Sequence, residues 1–162
     1  MKISKFLPML LFLGVLSFTS CNDDDDGEDA PAPTRSQLLT SKNWIVDTWD
    51  IEPAIDIDNN GTQENNLIPF FPVCFLDDFY DFNADGSYAI EEGASKCDDN
   101  DPTVIESGDW LWNSDNTRII FEPNSGDNYE YKVISISSSE LVIEFTSVNE
   151  NGTTFTQTQT WN

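Results

Sequence analysis

The stretch CFLDDFYDFNADGSYAIEEGASKC, from Cys74 to Cys97, leaves the chain few ways to fold. Tyr80 and Phe82 alternate with Asp81 before Asn83-Ala84-Asp85-Gly86, and Tyr88 and Ile90 supply apolar positions after it. A period of two belongs to a strand half-buried in a sheet. A polar tetrapeptide ending in glycine between two such runs is a hairpin turn, with Gly86 at the position that favours positive φ. The pattern predicts two short antiparallel strands whose outer ends carry Cys74 and Cys97, a pair that a disulfide can join.

The same rhythm continues on both sides. Trp44 to Ile51 reads as the first strand, with Trp44, Ile45, Val46 and Trp49 placing apolar groups on both faces. Asp58-Asn59-Asn60-Gly61 is a turn inside an otherwise undecided segment, and Pro69 and Pro72 argue against a central strand in the apolar run that follows. Further strands are expected over Val104 to Trp112, bent or bulged near Gly108, and over Thr117 to Glu122. Tyr129, Tyr131 and Val133 mark the next, then Leu141, Ile143 and Phe145, and last Thr153 to Trp161. Ser36 to Ser41 is long enough for one short helix, with Thr34 or Ser36 at its start. The sum is an all-β chain of about eight short strands joined as an antiparallel meander. Closing such a sheet into a barrel removes its exposed edges.

The first residues read differently. Lys2 and Lys5 precede an apolar run from Phe6 to Phe18, the layout of a secretion signal and shorter than a membrane span. Leu16-Ser17-Phe18-Thr19-Ser20-Cys21 resembles a bacterial lipoprotein processing site, which implies that Cys21 becomes the lipidated first residue; the alternative is a plain cleaved signal with Cys21 incidental. Residues 1–20 are therefore expected as signal peptide, 21–35 as an acidic flexible tether, and 36–162 as the barrel domain. The run Asp23-Asp24-Asp25-Asp26 followed by Glu28 and Asp29 builds no core. It also resembles the surface-export signals of lipoproteins in the Bacteroides and Flavobacterium group. Outer-membrane attachment through the lipid alone, on the cell surface, is the expected location, and the periplasmic face is the alternative.

The chain carries 30 acidic and 7 basic residues, a net charge of −23, and no histidine. A phosphate backbone would meet a repulsive field, which argues against nucleic acid as a partner. With Cys21 reserved for lipid, Cys74 and Cys97 form the remaining pair, and an exported location favours their oxidation. Closing that loop would stabilise the fold by roughly 3 kcal/mol in chain-entropy terms. Two reduced buried thiols, or half of a metal site, are the other readings; zinc is disfavoured by the missing histidines and the missing second cysteine pair.

Taken in order, these marks resemble the lipocalin-like lipoproteins of Bacteroides- and Flavobacterium-type bacteria. They are the leader, the segment to Leu39 and Trp44, the Asp77 to Phe82 run with Asp85-Gly86-Ser87-Tyr88, the flanking cysteines, the Gly108-Asp109-Trp110 strand, and the Tyr131 and Leu141 strands. The first strand has Lys42-Asn43-Trp44 where the better-known lipocalins have Gly-x-Trp. The resemblance implies an antiparallel calycin-type barrel with room for a central cavity, and it carries over neither a catalytic residue nor a defined ligand.

Function follows from what the strands can line. Trp44, Tyr80, Phe82, Tyr88, Trp110, Trp112, Tyr129 and Tyr131 are the candidate walls of an apolar pocket, and the same rings serve equally as core. The expected function is binding of an apolar or amphipathic small molecule without catalysis and without a cofactor. The alternative is a surface accessory that binds protein or glycan and whose barrel is filled by its own side chains. Asp81, Asn83 and Asp85, and separately Asp56, Asp58 and Asn60 with Glu64 assisting, fit fragments of a calcium loop. Strands are expected where that loop needs helices, so both read first as turns. Asp77 and Asp78 are adjacent and, as strand residues, point to opposite faces, which is poor geometry for an acid–base pair. A cleft with two converging carboxylates would favour catalysis.

Overall fold

The computed structural model describes residues 31–162, so the expected signal peptide, Cys21 and most of the tether lie outside the described residues. A short helix, α1 (Arg35–Leu39), opens the domain. Thr34 caps it: its hydroxyl accepts the Gln37 N–H while the Gln37 side chain accepts the Thr34 N–H, a reciprocal box that makes one and a half turns viable. Nine strands follow: β1 (Trp44–Ile55), β2 (Glu64–Asn66), β3 (Phe79–Phe82), β4 (Ser87–Glu91), β5 (Val104–Trp112), β6 (Arg118–Pro123), β7 (Tyr129–Ile136), β8 (Leu141–Val148) and β9 (Thr154–Trp161). Among the described residues no helix is long and apolar enough to cross a membrane.

From β3 onward each strand pairs antiparallel with the next, and β9 returns to β1 over Val46↔Trp161 through Glu52↔Thr156. Eight strands thus close into a barrel, and β2 is an extra piece on β1. The other edge of β1 is shared. Its first two residues pair with β3, as Trp44↔Tyr80 and Ile45↔Phe79, and β2 takes the far end at Asp50 and Ile55. The β3–β4 turn forms as the sequence predicts, with the Gly86 N–H donating to the Asn83 carbonyl and Gly86 at φ 93°.

Inward residues at the α1 end fill the barrel. Leu39, Trp44, Ile119, Phe121, Leu141, Ile143 and Trp161 are fully buried, with Phe82, Tyr88, Trp110 and Val133 beside them. Antiparallel order explains the clustering: Trp44, Ile119 and Leu141 lie at or next to the starts of strands that point away from α1, while Phe82, Trp110 and Trp161 lie at or near the ends of strands that point toward it. The rings meet closely, with Phe121 and Tyr129 centroids 4.6 Å apart and Tyr88 edge-on to Phe121 at 5.1 Å. Such rings exclude far more apolar surface from water than aliphatic side chains of the same number would.

Gly108 does not mark the bulge. It pairs in register with Pro123, and the irregularity lies where Ile90 and Glu91 face Glu106 and Val104, leaving Ile105 as the extra residue. Gly108 serves close approach instead: a Cβ there would fall 2.2 Å from the Glu122 carbonyl oxygen. Gly108→Ala should lower unfolding stability by about 2 kcal/mol through forced separation of β5 and β6. An unchanged denaturant midpoint would contradict the close packing of these two strands.

Candidate functional site

The barrel wall is weakest between β1 and β3. Only two residue pairs join them; beyond Ile45 the wall is completed by the connection from Leu67 to Asp78, a strap that contains two short 3-10 turns, Ile68–Phe70 and Val73–Phe75. Pro69 and Pro72 fix these turns in place of a strand, as expected from the donors they lack. The strap starts from a Leu67 N–H donating to the Trp49 carbonyl at 2.8 Å. It ends on a disulfide, Cys74–Cys97, to the β4–β5 loop, with a Cα separation of 5.2 Å.

Behind the strap lies a cavity of about 280 Å³. Its barrel side is made by Val46 and Trp49 of β1, Tyr80 of β3, Ile90 of β4, Ile105 of β5 and Gln159 of β9. Ile105, the extra residue of the bulge, reaches the cavity while still 44% exposed, and Glu106 beside it turns inward to the hydroxyls of Tyr88 and Tyr129. The strap side is Ile68, Phe71, Phe75, Leu76 and Asp78. Phe71 stacks on Trp49 with centroids 4.7 Å apart and planes 18° from parallel, closing one side. The polar groups among these walls are largely spoken for. The Trp49 indole donates to Gln157 Oε1 at 2.7 Å, and Gln159, itself buried, accepts the Trp161 indole at 2.7 Å.

Of the eight aromatic residues expected to line a pocket, Tyr80 lines this cavity, where it also stacks on Trp161 at 4.2 Å. Trp44, Phe82, Tyr88 and Trp110 are core, at 0%, 2%, 2% and 8% exposure. Trp112 sits beside α1, its indole donating to Ser36 Oγ and the Arg35 guanidinium over its ring. Tyr129 and Tyr131 pack on Phe121 in the far wall. Sequence reasoning passed over Trp49, Phe71, Ile90, Ile105 and Asp78 as site residues. For Phe71 a signal existed, an apolar segment that its prolines bar from being a strand and that must therefore cover something.

Asp78 is the acidic group among the cavity walls, and it stands in a collar of carboxylates with Asp77, Glu92 and Asp101. Asp77 and Asp78 precede β3 rather than lying in it, so they do not diverge as strand residues would. Both turn to the β4–β5 loop: Asp78 accepts the Gly93 N–H at 3.2 Å and Asp77 accepts the Ser95 N–H at 2.9 Å. Desolvation holds the Asp78 carboxyl above its usual range, with the charge of Asp77 adding to it. Glu92 is raised as well, by desolvation first and then by Asp78, Asp101 and Asp77, against a smaller opposing effect of Lys96. Asp77 Oδ1 and Glu92 Oε2 are buried without a hydrogen-bond partner among the described residues. A carboxylate with a raised folded-state pKa disfavours the fold at neutral pH, a pattern typical of functional sites.

The calcium-loop fragments separate. Asp81 lies on β3, while Asp85, inside the Asn83–Gly86 turn, accepts the Ser87 hydroxyl and N–H, which lower its pKa. Asp56, Asp58 and Glu64 bring one oxygen each within 4.8 Å of one another. Asn60 points its amide nitrogen at Asp58, and Asp56 is taken by the N–H groups of Asn60 and Gly61.

With the closed barrel established, comparison places it. The model of the lipocalin-like domain family matches residues 42–143. The chain belongs to the lipocalin-like domain family. Similar solved structures of this lipocalin-like chain include bovine odorant binding protein in complex with undecanal, at 16% identity over 83% of this chain and 76% of that one, TM-score 0.41. Another is a deswapped triple mutant of bovine odorant binding protein, at 16% identity over 76% and 72%, TM-score 0.39. No curated protein sequence matches this lipocalin-like chain significantly.

All four tyrosines share the interior, and Glu106 accepts the hydroxyls of Tyr88 and Tyr129. Burial pushes Tyr131 up to about 12, with Glu106 adding to it, and holds Tyr80, Tyr88 and Tyr129 well above the ordinary 10.0. In the unfolded chain they ionise near pH 10, so the stability they contribute is whole below that pH and falls as pH rises above it. Tyrosinate absorbance should stay flat through pH 10 and then rise in one step together with loss of fold. Gradual ionisation of a still-folded protein near pH 10 would contradict the buried placement.

Proposed function

We propose that this lipocalin-like protein is a lipid-anchored cell-envelope binder, without catalytic activity, that holds an apolar or amphipathic small molecule behind the 67–78 strap. The observation that carries the reading is the cavity itself. It is roughly twice the 150 Å³ that accommodates benzene in an apolar interior, and none of its apolar lining residues belongs to the fully buried core. The leader and Cys21 support attachment by lipid, and the acidic run after Cys21 supports display on the outer-membrane surface in the manner of the Bacteroides- and Flavobacterium-type lipoproteins. Residues 1–20 are the signal, 21–35 the tether and 36–162 the binding domain in this reading.

A second reading, an accessory that docks on protein or glycan, is favoured by the apolar side chains that the strap exposes to solvent, Phe75 among them although it also borders the cavity. Val73 is 79% and Phe75 56% exposed. Native mass spectrometry of the protein taken gently from its own envelope separates the two. The expected spectrum shows lipid on Cys21, absent in Cys21→Ser, and a stoichiometric small-molecule adduct that Val46→Trp abolishes by filling the cavity. A bare lipidated chain that carries a co-purifying protein instead would overturn the first reading in favour of the second.

A further inference from the structure

The cavity is apolar in its walls and acidic at its rim, and that combination selects among ligands. Asp78 belongs to both: it lines the cavity and stands in the collar with Asp77, Glu92 and Asp101. Four of the five basic side chains beyond residue 20 are committed elsewhere. Arg35 and Lys42 lie over Trp112 and Trp44, and Arg118 and Lys132 pair with Glu130 and Glu144 across β6, β7 and β8. Lys96 is the basic group of the collar, and its ammonium donates to the Asp101 carbonyl at 2.6 Å and faces Thr103 Oγ1 at 3.4 Å.

Three ligand classes meet this rim differently. A neutral apolar molecule removes water from Asp78 and returns nothing, so it deepens the desolvation of a carboxylate that has one N–H partner, Gly93. A fatty carboxylate brings like charge to the collar and is repelled. A protonated amine restores to the carboxylates the charge-assisted hydrogen bonds that burial denies them, while its hydrocarbon part takes the apolar walls. Trp49, Phe71 and Phe75 add ring faces that attract a cation as well as a chain.

Resting on the binding reading above, we infer that the ligand of this cavity is a cationic amphiphile, a primary or substituted amine on a short apolar body. The apolar body occupies the space between Trp49 and Tyr80, and the ammonium is held by Asp78 with Asp77 and Glu92 around it. Asp78 is the specificity-determining residue. Asp77 and Glu92 supply the surrounding negative field with the oxygens that no protein donor satisfies.

The test is a calorimetric titration of the folded protein at neutral pH with decylamine, 1-decanol and decanoate, each below its aggregation concentration. The expected order is decylamine at least about tenfold tighter than 1-decanol, with decanoate weakest. Decylamine should bind one per chain, be displaced competitively by 1-decanol, and weaken on addition of salt. Asp78→Asn keeps an oxygen for the Gly93 N–H and should bring decylamine to the affinity of 1-decanol while leaving 1-decanol equal or tighter. Equal binding of amine and alcohol by the native protein would overturn the cationic assignment and leave apolar binding standing. So would amine binding that 1-decanol does not displace, since that is ion pairing on the acidic surface. Failure of all three ligands to bind would overturn the binding reading itself.

Discussion

The pairing of β9 with β1 decides what the interior can hold. Once Trp161 lies across from Val46 the sheet has no free edge on that side, and its inward side chains have only one another to pack against. A barrel of eight strands is just wide enough for side chains to fill it. Here bulky rings fill it from the α1 end: Trp161 on Tyr80, Phe82 edge-on to Trp110, Phe121 against Tyr88 and Tyr129. The indole N–H groups are satisfied in the process, those of Trp44 and Trp110 by the backbone carbonyls of Leu39 and Asn83. A filled end and a cavity at the other are consequences of one asymmetry, the short β1–β3 pairing that leaves a strap to finish the wall.

That strap is held more tightly than its irregular backbone suggests. Its start is hydrogen-bonded to β1, its middle stacks on Trp49, and its end is tied to the β4–β5 loop by the disulfide and by two aspartates. Gly93 permits the last contact, since a Cβ there would fall 2.3 Å from the Asp77 carbonyl oxygen. Fixing the strap brings partly desolvated carboxylates against an apolar cavity. Burial holds the Asp78 and Glu92 carboxyls above their usual range, so the fold tolerates an unfavourable charge there.

Most of the barrel was legible because half-buried strands write a period of two. Tyr129, Tyr131 and Val133, or Phe155, Gln157, Gln159 and Trp161, alternate without ambiguity, and their inward faces followed. The Asn83–Gly86 turn is equally plain, while the two cysteines allow a disulfide without excluding reduced thiols or half of a metal site. The β2 strand was not, since Glu64-Asn65-Asn66 pairs through its backbone on an outer edge and buries no apolar face. The bulge was misplaced because a strand glycine signals either an extra residue or a close neighbour, and Gly108 has the neighbour. The site residues were hardest. Ring size marks an inward aromatic but not which end of the barrel it occupies, so Phe82, Tyr88 and Trp110 read as pocket walls although they belong to the filled end. Asp77 and Asp78 lie two residues and one residue before β3, where strand alternation does not apply.

A crystal structure of the protein grown with 1-decanol tests the division into a filled end and a binding end most directly. The alkyl chain should lie between Val46, Trp49 and Tyr80 behind Phe71, with Phe82, Tyr88 and Phe121 unmoved. A chain threaded among those three core rings, or lying outside beside Trp112 and α1 with the cavity behind the strap unchanged, would contradict the account.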